Sequence, residues 1–166
     1  MRKLLIGLMV VVFAVALTAC GGEAADPAAE EMQQQSDYWQ IDQIEKDFHH
    51  ATTIKDIDLM MSLWAPNATM TVGPGVTAAG TDEIREFWLT KSTAFDPAIH
   101  WLSDHPAYKL EITVAGDRGT LHFECHYVDY AQAHVDVATV ADMDVARIDG
   151  RWLITNFVAG STELRP

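Results

Sequence analysis

Glu45 and His49, four residues apart, are the groups in this chain best spaced for chemistry. On a helix that spacing brings a carboxyl and an imidazole within hydrogen-bonding reach. A carboxylate withdrawn from water beside an imidazole can act as a general base. Tyr127 and Asn156, facing the same space, would donate hydrogen bonds to a developing oxyanion. Together these groups suit proton abstraction next to a carbonyl. The structural alternative is that Glu45 reaches solvent at the rim of the domain, or pairs with His49 only to hold the fold.

His122, Glu124 and His126 form a second constellation, with Asp142 and Asp144 beside it. Spacing of two on a strand puts such residues on one face, where imidazoles and carboxylates can hold a divalent ion. The plainer reading is a solvated sheet face or dimer contact, so no metal and no cofactor is assigned. Cys125 lies among Leu121, Phe123 and Tyr127 and reads as a small buried hydrophobe, with no cation nearby to activate it. His100, Asp104 and His105 read as surface groups near a loop.

The elements that must position these groups follow from periodicity. Residues 38–52 have helical spacing, with Tyr38, Ile41, Ile44, Phe48 and Ala51 on one side, Glu45 and Thr52 inside that arc and His49 at its edge. A glutamate in an apolar stripe needs a partner, because an unpaired buried charge is expensive. Asp56 caps a second helix over residues 57–64, ended by Pro66-Asn67. A strand over 68–72, a turn at Gly73-Pro74-Gly75 and a return over 76–79 make a small hairpin. Thr81-Asp82-Glu83 opens a third helix, 92–97 is loop, and 99–103 is a short strand.

From residue 108 to 158 the chain reads as an antiparallel sheet. Alternation turns Tyr108, Leu110, Ile112 and Val114 inward, and likewise Leu121, Phe123, Cys125 and Tyr127. A two-residue turn at Asp149-Gly150 pairs Ile148 with Arg151, which sets Val145 opposite Ile154 and Met143 opposite Asn156. Thr139, Trp152, Asn156 and Val158 then face inward too. The inner wall is apolar with a few polar groups, the usual make-up of a small-molecule pocket. Tyr108, Tyr127, Thr139, Trp152 and Asn156 are the expected ligand contacts.

The first residues are an address. Arg2-Lys3 precedes an apolar run from Leu4 to Ala16 that is too short to span a bilayer, which takes about 20 residues. It closes in Leu17-Thr18-Ala19-Cys20-Gly21, which resembles the bacterial lipobox. That resemblance implies cleavage after residue 19 and lipidation of Cys20, anchoring the chain to a membrane of the cell envelope, the outer membrane in a Gram-negative host. Residues 20–37, rich in Ala, Glu and Gln, read as a flexible tether, and 38–162 as the domain. The formal net charge is -13, and loss of the two leader bases takes the mature chain to about -15. Nucleic acid and anionic headgroups would be repelled by such a surface.

The order helix, helix, short strand, helix, long antiparallel sheet resembles the nuclear transport factor 2-like superfamily, and within it the SnoaL-like proteins. Lys55 to Trp64, Gly80 to Ile84 and Asp149 to Ile154 carry the likeness. It implies an α+β fold in which a curved, mixed or antiparallel sheet wraps the N-terminal helices into a cone with a central pocket, and a homodimer. Members include isomerases, dehydratases and cyclases, and others that bind a ligand without chemistry. No catalytic set of the enzymes carries over residue by residue; Arg147 is the nearest approach to an inward arginine. Two expectations follow: a small apolar or amphipathic ligand in the cone, or a proton-transfer enzyme using Glu45 or His49. A dimeric scaffold with a filled core is a third.

Overall fold

The computed structural model of the chain describes residues 26–102, 107–131 and 133–163. The expected leader and Cys20 lie outside these residues, as do Asp104 and His105. The fold is α+β, with helices packed in the concavity of a curved sheet.

Helix α1 runs over Pro27–Ile54. Asp26 caps it, accepting from Ala28 N–H, and Pro27 occupies its first turn, where a missing N–H costs nothing. The helix therefore starts eleven residues before Tyr38, and most of the stretch read as tether is helical. That stretch has no apolar stripe because it is exposed nearly all round. Ala, Glu and Gln favour helix intrinsically, and composition alone does not separate such a helix from a tether. Its last turns do fulfil the expected pattern: Ile41, Ile44, Phe48 and Ala51 are buried.

Asp37 ties the extension to the sheet. It is 3% exposed and accepts from Gln33 Nε2 at 2.9 Å, the Trp152 indole N–H at 3.2 Å and Arg147 at 2.6 Å. Arg147 also bonds Asp117 and lies 5.0 Å over the Trp152 ring. Desolvation works to raise the Asp37 carboxyl, but bonds from Trp152, Arg147 and Gln33 outweigh it and hold the group below the ordinary aspartate range. A carboxyl with a depressed folded value adds stability that is present above its unfolded value and is lost as pH falls through the folded one. Asp37→Asn is expected to cost about 2 kcal/mol near neutrality, and the deficit should shrink below about pH 4. Urea unfolding at the two pH values checks this; a variant as stable as the parent at pH 7 would refute it.

Helix α2, Ile57–Ser62, has the expected Asp56 cap, which accepts from Asp58 and Leu59 N–H at 3.0 and 2.9 Å. It stops before Trp64, because that residue opens strand β1, Trp64–Val72. Trp64 pairs in parallel with Ile154, and Pro66-Asn67 sits in a bulge between the pairs Trp64–Ile154 and Thr69–Asn156. Strand β2, Val76–Ala79, completes the expected hairpin, and α3 spans Gly80–Thr90. A 3-10 turn, Thr93–Phe95, follows where loop was expected, then β3, Trp101–Leu102.

The long strands are β4, Lys109–Ala115; β5, Arg118–Asp129; β6, His134–Ile148; and β7, Arg151–Glu163. The sheet order is β2-β1-β7-β6-β5-β3, with β4 also paired to β5. It is mixed, since β1 and β7 are parallel and the other pairs antiparallel. Gly119 sits where the neighbouring strand and α1 leave no room for a side chain: an added Cβ would sit 2.5 Å from Thr113 O and 3.2 Å from Ile41 Cδ1.

The β6–β7 register begins as the turn predicts, with Ile148 opposite Arg151 and Val145 opposite Ile154. It then slips by one. Asp144, not Met143, faces Asn156, and Met143 faces Phe157. Thr155 is the extra residue, its hydroxyl donating to Asp144 O at 3.0 Å. One inserted residue reverses every later side chain on the strand. Asn156 and Val158 therefore turn outward, and Phe157 is buried in their place.

Candidate functional site

The curvature leaves the wide end of the cone unfilled. A cavity of about 630 Å³ opens there between α3, the 3-10 turn and the inner faces of β5, β6 and β7. Phe48 forms its floor, packed at 5.6 Å on Phe157, 5.8 Å on Phe123 and 5.5 Å on Trp88. Trp101 and Phe87 add side walls, and Val137 and Ala159 supply the small residues that keep the space open.

Of the expected ligand contacts, Tyr127 and Thr139 line this cavity. Tyr127 is 5% exposed, shares a hydrogen bond with the Thr52 side chain and stacks at a tilt on Trp101, with centroids 4.9 Å apart. Burial pushes its phenol well above the ordinary range, so it is a neutral hydrogen-bonding group. Thr139 is half-buried and sits between Cys125 and Ser161 on the neighbouring strands.

Three expected contacts lie elsewhere. Asn156 is on the outer face, where it accepts from Thr69 Oγ1 at 2.8 Å and donates to Asp144 at 3.2 Å. Tyr108 is 57% exposed; its hydroxyl donates to Glu124 at 2.9 Å and its ring stacks on His126 at 4.7 Å. It immediately precedes β4, whose first residues are exposed, Leu110 among them contrary to expectation, so the inward alternation on this strand holds only at Ile112 and Val114. Trp152 faces inward but at the narrow end, under Arg147 and Asp37.

Glu45 and His49 are brought together as expected. Each is 2% exposed, and His49 Nδ1 stands 2.9 Å from Glu45 Oε1. The same oxygen accepts from Ala107 N–H at 3.2 Å. Neither residue lines the cavity. The His49 ring instead packs against Phe123 at 4.9 Å and Tyr127 at 6.3 Å, two residues that do line it. The pair thus lies within the core, directly behind the wall formed by Phe123 and Tyr127.

On the outer face, His122 lies between Asp142 at 2.8 Å and Glu124 at 3.4 Å, and the bond to Asp142 chiefly raises its pKa. His126 stacks on Tyr108, so the three residues of that constellation do not converge on one point. Cys125 is buried, and desolvation pushes its thiol up to about 12, far from a reactive thiolate. His100 is exposed, edge-on to Tyr130.

Sequence reasoning missed Lys91, Ser92 and Thr93 at the cavity mouth, and Trp88, Trp101 and Phe157 in its walls. The aromatic side of α3 was legible; that the residues after it fold back over the cone was not. Among the described residues, the cavity lining holds no carboxylate and no imidazole. The arrangement can desolvate an apolar body and offer it the Tyr127 and Thr139 hydroxyls.

The sequence profile of the SnoaL-like domain matches residues 33–158. No curated protein matches the chain. Among solved structures, a nuclear transport factor 2-like protein with a cystatin-like fold from Novosphingobium aromaticivorans superposes with a TM-score of 0.68 at 16% identity, over 83% of this chain and 91% of that one. A hexachlorocyclohexane dehydrochlorinase from Novosphingobium barchaimii gives 0.62 at 18% identity, over 81% and 94%. A protein of unknown function with a cystatin-like fold from Nostoc punctiforme gives 0.63 at 15% identity, over 76% and 92%. At these identities the likeness is one of fold.

Proposed function

The chain belongs to the SnoaL-like domain family, and from that premise we propose that it is a binding module, held to a bacterial membrane by lipid on Cys20, that takes a small apolar or amphipathic molecule into its cone. The observation that carries this reading is the cavity of about 630 Å³ with an aromatic wall and, among the described residues, no acid or imidazole in its lining. Its size is that of small-molecule sites generally, and its polar groups are few and fixed. The filled-core scaffold is disfavoured by the same open space. The proton-transfer alternative is disfavoured by the position of Glu45 and His49 behind Phe123 and Tyr127.

Trp88 and Trp101 line the cavity and report on its contents. Titration with decanol, a neutral amphiphile, is expected to change tryptophan emission in a saturable, single-site manner. A response that stays absent or linear in a folded sample would reject the binding reading. For the anchor, the parent should partition with membranes and Cys20→Ala should be released from them; retention of the variant would reject lipidation there.

A further inference from the structure

We propose that the ligand is an amphipathic anion, with its apolar body among the aromatic rings and its carboxylate or sulfate head at the mouth against Lys91. The inference rests on the binding reading above and adds the sign and position of the headgroup.

Among the described residues, Lys91 is the one charged residue that lines the cavity. The chain as a whole carries 24 acidic residues against 11 basic ones, so a lining drawn at random from it would favour carboxylates. Lys91 is exposed, directly after α3. Among the described residues it makes no ion pair or hydrogen bond through its ammonium, whereas Lys46, Arg85, Lys109 and Arg147 each pair with a carboxylate. An ammonium left over at the rim of an apolar cavity, on an acidic protein, is available to a ligand.

The surroundings give it hydroxyl donors. Ser92, Thr93 and Ser161 share the lining with Lys91. Ser92 Oγ already accepts from Ala94 N–H, which leaves its hydrogen to donate. Lys55 reaches the Ala94 carbonyl nearby and is opposed by Asp96, so these two largely offset each other. As the residue that caps α3, Lys91 also counters the partial negative charge of the last helical carbonyls. Lys91 is left to set the sign at the mouth. Besides Tyr127, the rings of Phe48, Phe87, Trp88, Trp101, Phe123 and Phe157 exclude water from the body of the site. A charged head is thereby confined to the rim, where water and Lys91 both solvate it.

Decanoate, decanol and decyltrimethylammonium carry the same chain with a negative, neutral and positive head. They can be titrated below their aggregation thresholds against the full-length protein and its Lys91→Glu and Lys91→Arg variants, following tryptophan emission. The parent is expected to bind decanoate roughly fivefold tighter than the cationic probe. Lys91→Arg should keep that ratio, and Lys91→Glu should reverse it by roughly tenfold or more overall. Far-UV circular dichroism shows the variants folded, and the ratio is read within each variant, with decanol as its neutral reference, so that an effect common to all three heads cancels. An anion-to-cation ratio that Lys91→Glu does not move overturns the headgroup assignment and leaves the binding module standing if decanol still binds. Failure of every probe to bind overturns both.

Discussion

Ala159→Trp is expected to weaken decanol binding at least about 50-fold while leaving a folded protein. Ala159 stands on the inner face of β7, between Val72 of β1 and Ala141 of β6, and contributes directly to the cavity lining. An indole at that position must project into the space the ligand body needs. Steric exclusion is steep, so the effect on affinity is larger than any single lost contact would give. The effect on stability is smaller, because the new ring enters empty volume; a change within about 1–3 kcal/mol is expected. Tryptophan emission and a competition assay measure affinity, and urea unfolding measures stability. Affinity equal to the parent would mean that the ligand does not occupy this cavity. The test also examines the strand register, since without the bulge at Thr155 the side chain of residue 159 would face the other way.

Glu45→Ala is expected to be the most destabilising of the changes considered, at about 3–5 kcal/mol, with a fall in Tm of about 10 °C or more. The carboxyl group serves two partners at once, the buried His49 imidazole and the partly buried Ala107 N–H. Its removal takes the acceptor from the Ala107 N–H and leaves the buried His49 ring with the Glu45 backbone carbonyl, 3.0 Å from Nδ1, in place of the carboxylate, and a bond lost in so enclosed a place costs much of the desolvation of the group that made it. Glu45→Gln keeps an oxygen for Ala107 and should cost less. Under conditions where the variants remain folded, decanol affinity is expected to stay within about threefold of the parent, because the pair lies behind Phe123 and Tyr127. Calorimetry and the same titration separate the two effects. Intact stability with lost binding or lost turnover of any substrate would return Glu45 and His49 to the site.

The two variants divide the polar interior into parts that act differently. Tyr127 and Thr139 meet the ligand space, and Glu45 and His49 hold the wall in which Tyr127 sits. At the opposite end Asp37, Arg147 and Trp152 fasten the start of α1 to the sheet. Buried polar groups at both places bind one element of the fold to another.

Several features were settled by residues acting locally. The inner stripe of α1, the Asp56 cap, the Val76–Ala79 return and the Asp149-Gly150 turn depend on near neighbours, and each stands where its pattern put it. The inward set on β5, Leu121, Phe123, Cys125 and Tyr127, is also buried as alternation requires. The pairing of Glu45 with His49 was legible for the same reason, as helical spacing fixes it. What the tertiary structure alone decided begins at Thr155. A period-two pattern carries no mark of an inserted residue, and the bulge answers a demand of the whole sheet, which must curve around α1. That single residue moved Asn156 out and Phe157 in. The cavity is likewise a remainder: it lies where side chains from α1, α3, the turn after it and six strands fail to meet, and no stretch of sequence contains that sum.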